Sequence, residues 1–371
     1  MSVHNQNRRP FNPALLPFFS PQAILQELSE SKKSFLLRLP TAYLQTSNSS
    51  QKNNLIGNIS IGMELEMIIV NLTQATLGQL AMEETTIFEV VSDAMNAASI
   101  QTDVWTQFTG SYPNRKRFIV TDEKSVSDSI YDEDVGEEIP GYVVEICTPI
   151  LRNRSWKYII PTVMEHLGAS FDCRFNFTTG LHVHVGYGEG WGLDHLKKIA
   201  KAIVIFESSM DKYHPAHRQA GKNWCLSSNR HGDNLSSYTK LEAIELLENA
   251  LTQRELLDLI GPHKFFKYNL NAVKTHGTVE FRQGDAAVTG EMAVDWIDRV
   301  VGFVERAIIT DHSSFQGFAR SEDPRHSCSK KIFEEFGVPW VERRRIKPRK
   351  VPMRARLDMK RRRVFFGSKN W

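Results

Sequence analysis

Two histidines stand one residue apart in T-T-G-L-H-V-H-V-G-Y-G, from Thr178 to Gly188. Residues i and i+2 of a strand share a face, so His182 and His184 look one way while Val183 and Val185 look the other. The same spacing recurs twice. Glu64 and Glu66 alternate with Met63, Leu65 and Met67, and Glu280 and Arg282 alternate with Val279, Phe281 and Gln283. Glu145, between Val144 and Ile146, adds a single acid. Taken one at a time, Glu64/Glu66 reads as the wet face of a strand, and Glu280/Arg282 as a surface ion pair of little worth. Paired histidines on one face suit a metal or an anion better. Together the set consists of carboxylates, imidazoles and one guanidinium. If neighbouring strands carry them, three or four carboxylates share one concavity, which is unfavourable unless cations neutralise it. Oxygen-rich ligation with little sulfur points to Mg²⁺ or Mn²⁺ rather than structural zinc.

The elements that must position these groups can be read from hydrophobic period and turn chemistry. Strands are expected at Ile59–Val70, Val104–Phe108, Phe118–Val120, Tyr142–Thr148 (ended by Pro149), the two-histidine stretch and Thr278–Gln283. Helices are expected over Thr85–Ala98, Trp156–Leu167, Asp194–Lys212 with Asp194 as N-cap, Lys240–Ala250, a short one opened by the capping box Thr252–Glu255 and stopped at Gly261-Pro262, and Glu291–Ile309. Eight acids fall in the seventeen residues Asp122–Glu138, which reads as a solvated loop. Strands and helices mix without regular β-α-β alternation. The fold class expected is therefore α+β, a largely antiparallel sheet with its helices on one side.

Residues 1–55 read as a polar N-terminal extension with a short helix near Ala23–Leu37, residues 56–325 as the folded body, and 326–371 as a basic tail. The last 31 residues hold thirteen Lys/Arg against two acids, in a chain whose formal net charge is only +3. That run suits a solvated tail on an acidic body, with nuclear import or a nucleic-acid contact as the other readings. No apolar run approaches the roughly 18 residues of a membrane span. Four widely spaced cysteines without a C-x-x-C suggest neither a zinc knuckle nor a disulfide framework, and make a reducing, cytoplasmic setting the default. Cys225 reads as a buried free thiol rather than a nucleophile.

The ordered series G-M-E-L-E (Gly62–Glu66), G-Y-V-V-E-I-C-T-P-I (Gly141–Ile150), T-G-L-H-V-H-V-G (Thr179–Gly186), H-P-A-H-R (His214–Arg218), N-W-C-L-S (Asn223–Ser227), K-Y-N-L-N (Lys267–Asn271) and V-E-F-R-Q (Val279–Gln283) resembles the amidoligase family over about residues 56–310. That family is grouped with glutamine synthetase and glutamate–cysteine ligase. The resemblance implies a glutamine-synthetase-like catalytic fold, a curved antiparallel sheet backed by helices. It implies metal ligation by Glu64, Glu66, Glu145, His182 and Glu280, with His184 and Arg282 near the nucleotide phosphates and the transferred group. It also offers Arg218, Asp122 and Asn223 as substrate contacts, although Phe118–Val126 matches the family's Asp-x-Ser pattern only loosely. For Arg218 the residues themselves leave a second reading open: a helix-end arginine bonding the last carbonyls of the helix Asp194–Lys212. Asn269 and Asn271 read as local hydrogen-bonding groups.

The activity implied is ATP-dependent joining of a small carboxylate to an amine through an acyl phosphate, with Mg²⁺ or Mn²⁺. No P-loop is present, since G-Y-G-E-G-W-G (Gly186–Gly192) lacks the lysine. Phosphate handling would fall to the cations, Arg282 and His184. Two competing readings remain at this point: a metal-dependent hydrolase on the same His/Glu set, and a non-catalytic member acting on nucleic acid through its tail.

Overall fold

The computed structural model describes residues 58–72, 85–106, 115–132, 136–188, 190–219, 226–232 and 234–320, with isolated positions at 77, 80, 334, 336 and 337. The N-terminal extension with its expected helix, Asn223, Cys225, Cys328 and the basic run lie outside the described residues.

The long strand β1 (Ile59–Val70) organises the sheet. Its even-numbered residues form one face, and Ile61, Met63, Leu65, Met67 and Ile69 on the other enter the main core. The elements that follow are α1 (Ile87–Ala97), β2 (Thr102–Val104), β3 (Phe118–Thr121), β4 (Ser129–Asp132), β5 (Glu137–Pro140), β6 (Tyr142–Cys147), β7 (Leu151–Arg152), α2 (Trp156–Ser170), β8 (Asp172–Arg174) and β9 (Gly180–Tyr187). Then come α3 (Leu193–Asp211), α4 (Lys240–Asn249), α5 (Gln253–Ile260), β10 (Tyr268–Asn269), α6 (Ala272–His276), β11 (Thr278–Asp285), α7 (Gly290–Ile309) and α8 (His312–Arg320). The sheet runs β10-β11-β9-β1-β6-β3-β2, with β7 and β8 also pairing β1. Every pairing is antiparallel except β2 with β3. The expected α+β class with a largely antiparallel sheet is what the chain adopts. No helix among the described residues is long and apolar enough to cross a membrane.

The helix stripes read from sequence are buried: Leu196, Ile199, Ala200, Ile203 and Met210 on α3, and Trp296, Ile297, Val300, Val304 and Ile308 on α7. Phe336 inserts into the same core, stacking on Phe206 at 4.4 Å. Local expectations differ in four places. The N-cap of α3 is Gly192, which leaves Asp194 inside the first turn, where a carboxylate favours the helix dipole. The Thr252 hydroxyl caps α5, but Glu255 reaches back to the amide of Leu251 rather than of Thr252. The strand expected at Val104–Phe108 is instead Thr102–Val104.

The fourth difference is the largest. The acid-rich stretch Asp122–Glu138 is not simply a solvated loop: β4 and β5 pair as a second, two-stranded sheet. Val126 and Ile130 pack on Ile68 and Val70, apolar residues on the face opposite the main core. The Nδ2 of Asn176 donates to the carbonyls of Ser127 (3.0 Å) and Ser129 (3.2 Å), and the amide of Ser127 donates to the hydroxyl of Thr178. A few apolar side chains and one asparagine thus fold an acidic segment over the sheet. The short helix α6 also departs from the one-sided expectation, because its His276 lines the cleft on the face away from the main core.

Beneath β11 lies a buried ionic network. Lys267, fully buried, places Nζ 2.6 Å from both Glu207 and Asp211 of α3. Gln283 donates to Asp211 and accepts from the hydroxyl of Tyr268 at 2.7 Å. Removing one partner of a buried pair strands the others' charge, at a cost of about 3–5 kcal/mol. Lys267→Ala should therefore lower unfolding stability by about that amount, read from urea denaturation. A loss under 1 kcal/mol would show that the network is dispensable.

Candidate active site

Strand register converts the sequence spacings into one surface. Across the face away from the main core, Glu64 pairs with His182 on one side and Cys147 on the other, and Glu66 pairs with Glu145. His184 stands between Gly62 and Glu280, and Glu280 is opposite Asn269. All three alternating pairs and Glu145 therefore meet on adjacent strands.

The contacts are short. His182 Nδ1 lies 3.1 Å from Glu64 and its Nε2 3.5 Å from Glu66, while His184 Nε2 lies 3.0 Å from Glu64. Both imidazoles approach Glu280 to 3.8 Å. The other nitrogen of His184 meets the hydroxyl of Thr278 at 2.9 Å, which fixes the ring. Glu66 accepts from the amide of Gly180 at 2.6 Å. Asn269, read from sequence only as a local hydrogen-bonding group, donates to Glu280 at 2.7 Å and so orients a site carboxylate.

Arg282 shares this face with Glu280 by strand alternation, at a point where β11 is bulged. Between Phe281 and Gly284 the register slips, so Arg282 and Gln283 together oppose His182. The guanidinium bonds Glu280 at 2.5 Å, while Gln283 is buried on the core side. Nε of Arg282 has no hydrogen-bond partner among the described residues although it is buried. A Cβ at Gly284 would stand 2.1 Å from the carbonyl oxygen of Leu181, so only glycine fits where the bulge closes.

Arg218 is buried at 2 % exposure, and the carbonyls it bonds are those of Arg282 (2.6 Å) and Gln283 (3.4 Å). These carbonyls belong to the β11 bulge and not to the end of α3, and the charge of Arg218 acts on Glu66. A Cβ on Gly180 would come within 2.6 Å of Arg218 Nη2 and 3.3 Å of Glu66, so the glycine leaves room for that approach.

The acid-rich segment contributes Glu123. Asp122, the sequence candidate there, has its carboxylate 3.5 Å from the neighbouring Thr121 hydroxyl. Glu123 instead joins Glu66 and Glu145 in a group whose ligating atoms all lie within 4.8 Å of one another. A second such group is Glu64, His184 and Glu280, and a third is Glu64, Glu145 and Cys147. Alternation could not have found Glu123, since it lies on no strand. The only hint was the density of acids.

Electrostatics express the crowding. Burial, then the charges of Glu64 and Glu66, push Glu145 well above the usual carboxylate range. Glu66 is also raised, chiefly by burial, against the pull of His182 and Arg218. Glu64 moves the other way: burial alone would raise it, but His184 and His182 hold it well below its ordinary value. Glu280 is lowered by His184 and Arg282 despite its burial. His184 is raised to about 8, its burial outweighed by Glu64 and Glu280. Burial and the neighbouring Glu145 raise the Cys147 thiol well above its usual range, so it is no thiolate nucleophile. Carboxylates and imidazoles gathered on rigid strands, some already turned by outer hydrogen bonds, are the donor types that suit a divalent cation.

No curated protein matches the chain. The family described as "putative amidoligase enzyme" matches residues 57–303, from the first strand of the sheet to the middle of α7. That span is well over half of the 371 residues and contains every group of the site. The chain belongs to this amidoligase family.

Proposed function

We propose that the protein is an ATP-dependent carboxylate–amine ligase working through an acyl phosphate, on a glutamine-synthetase-like catalytic fold. The observation that carries the reading is the pair of ligand groups, Glu64/His184/Glu280 and Glu66/Glu123/Glu145, side by side on one sheet face with His182 touching acids of both. Like charges this close are costly without cations, and the donor set, mostly carboxylate oxygen, fits Mg²⁺ or Mn²⁺. Held by these residues, such cations would supply neutralisation of the charge that develops on phosphoryl transfer.

The chain's own residues would supply the rest. Arg282, tied to Glu280 through one nitrogen and with Nε unbonded, is positioned to donate to an oxygen of the transferred group. His184, held by Thr278 on one nitrogen, sets its Nε2 against Glu64 and Glu280. A carboxylate expels oxide only with great difficulty, and phosphorylation gives it a good leaving group for the attacking amine. Burial of Glu66, His182, Glu280 and Arg218 keeps bulk water from the floor of the site, which protects an acyl phosphate from hydrolysis. Arg218 braces Glu66 and the bulge from behind.

The reading is tested by ATP consumption with Mg²⁺ over pools of small carboxylates and amines. Phosphate release should require an amine, and Glu64→Gln and Arg282→Ala should each lower turnover at least about a hundredfold, the scale of lost transition-state electrostatics. Turnover unchanged in both variants, or phosphate release indifferent to amine, would overturn it, the latter in favour of a hydrolase.

A pH dependence follows. His184 titrates at about 8 in the folded protein against 6.5 ordinarily, so its contribution to stability is fully present below 6.5 and is lost as pH rises through 8. Glu145, also raised, acts in the same sense: protonated it is tolerated, ionised it repels Glu64 and Glu66. Without divalent cations the melting temperature should fall between pH 6 and pH 9, and Mn²⁺ should restore it most at the alkaline end. A melting temperature insensitive to Mn²⁺ at pH 9 would count against cation binding by these groups.

A further inference from the structure

The stretch H-P-A-H-R (His214–Arg218) supplies Arg218 to the site and carries two further histidines. His214 is buried against the edge of Trp296, with ring centroids 4.5 Å apart, so it belongs to the packing. His217 is placed differently. It stands in a one-turn helix, Ala216–Arg218, which Arg218 ties to β11. The guanidinium of Arg218 bonds the carbonyls of Arg282 and Gln283, and its own carbonyl accepts from Gln283 at 3.2 Å. The turn sets His217 Nε2 at 3.0 Å from Asp285, with the imidazole 20 % exposed and the carboxylate 7 %. An ionised carboxylate can only accept, so Nε2 carries the proton and Nδ1 keeps a lone pair.

Strand register gives this dyad its place. Asp285 pairs with Gly180, which shares the parity of His182 and His184, so the carboxylate is on their face of the sheet. Gly180 also donates its amide to Glu66. The dyad therefore lies just beyond the Glu66/Glu123/Glu145 group, yet belongs to none of the ligand groups. A cleft of about 250 Å³ runs the other way, from Glu64 and His184 toward Ser60 and Gly186, and neither His217 nor Asp285 is among its lining residues. The two ends of the site are thus distinct, and a second substrate has the Asp285 end to itself.

We propose that His217 is the general base that takes a proton from the attacking amine, and that the amine enters at this end of the site. This rests on the ligase reading above. An alkyl amine is protonated at neutral pH and offers no lone pair until a proton leaves. On that reading the nearby acids are occupied by cations, which leaves the His217 imidazole to accept it. The step balances. The ammonium gives one proton to Nδ1, and the bared lone pair forms the C–N bond. The C–O bond to phosphate breaks with its electron pair going to phosphate, which takes the second proton from nitrogen. Asp285 is a positioning residue, holding the ring and its tautomer.

The full chain with ATP and Mg²⁺ over the pool of small carboxylates tests this with two kinds of nucleophile. Ethanolamine, putrescine and glycine arrive protonated and need a base, whereas hydroxylamine is largely unprotonated at neutral pH. His217→Gln should lower amine-dependent phosphate release at least about a hundredfold, while hydroxamate formation falls less than about threefold. Asp285→Asn is the second probe and should show the same selective loss, because the ring remains but in the wrong tautomer. Both variants should bind Mn²⁺ with wild-type affinity, since neither residue is in a ligand group. Equal loss with both kinds of nucleophile, which a merely structural tie between the turn and β11 would give, overturns the proposal. So does amine-dependent phosphate release unchanged in His217→Gln. Wild-type phosphate release indifferent to every nucleophile overturns the ligase reading itself, and this base with it.

Discussion

Like charges held close together in a dry place govern this molecule. The acids on the face of the sheet away from the main core are spaced by β-sheet geometry, which sets neighbouring strands about 4.8 Å apart, and their backbones cannot move apart without breaking the sheet. The protein manages the repulsion with what surrounds them. Two histidines interleave with the carboxylates, Arg282 and Arg218 bring positive charge, and the amides of Gly180 and Asn269 each bind one oxygen. What is left unbalanced collects on Glu145 and Glu66, whose protons are held more tightly than usual. On the proposed reading such a site would be preorganised for cations, because the cost of assembling its ligands is met by the fold.

That cost is met from below. The odd-numbered residues of β1, the valines of β9 and β11 and Phe281 are buried against the helices, and it is their burial, not any attraction on the other face, that fixes register. A one-residue slip would turn every side chain over. The network of Lys267, Glu207, Asp211, Gln283 and Tyr268 pins β11 to α3 where the strand is irregular and register alone would not suffice.

Much of this was legible in the sequence because period-two alternation reports face directly. Glu64/Glu66, His182/His184 and Glu280/Arg282 were each placed on one face by spacing, and β pairing then brought them together. The class of fold followed from the mixture of elements. What stayed hidden depended on residues distant in sequence or on irregular backbone. Glu123 is brought in by a small apolar contact between Val126, Ile130 and strand β1, and by Asn176 bridging to the loop. Arg218 could be assigned to a helix end because its real partners, the carbonyls of the β11 bulge, lie 64 and 65 residues away. Asp194 resembled a cap, and the chain used the glycine two residues earlier.

The bulge in β11 has a bearing on how such a protein can change over time. By spending one extra residue, the strand sets two residues opposite His182, a guanidinium bonded to Glu280 and an amide bonded in the interior. Substitution at either position alters one face alone. Loss of a single codon there would leave one residue opposite His182, so that either the guanidinium or the amide would be gone. Descent along this lineage is therefore free to vary the chemistry of the strand by replacement, but hardly by changes in its length.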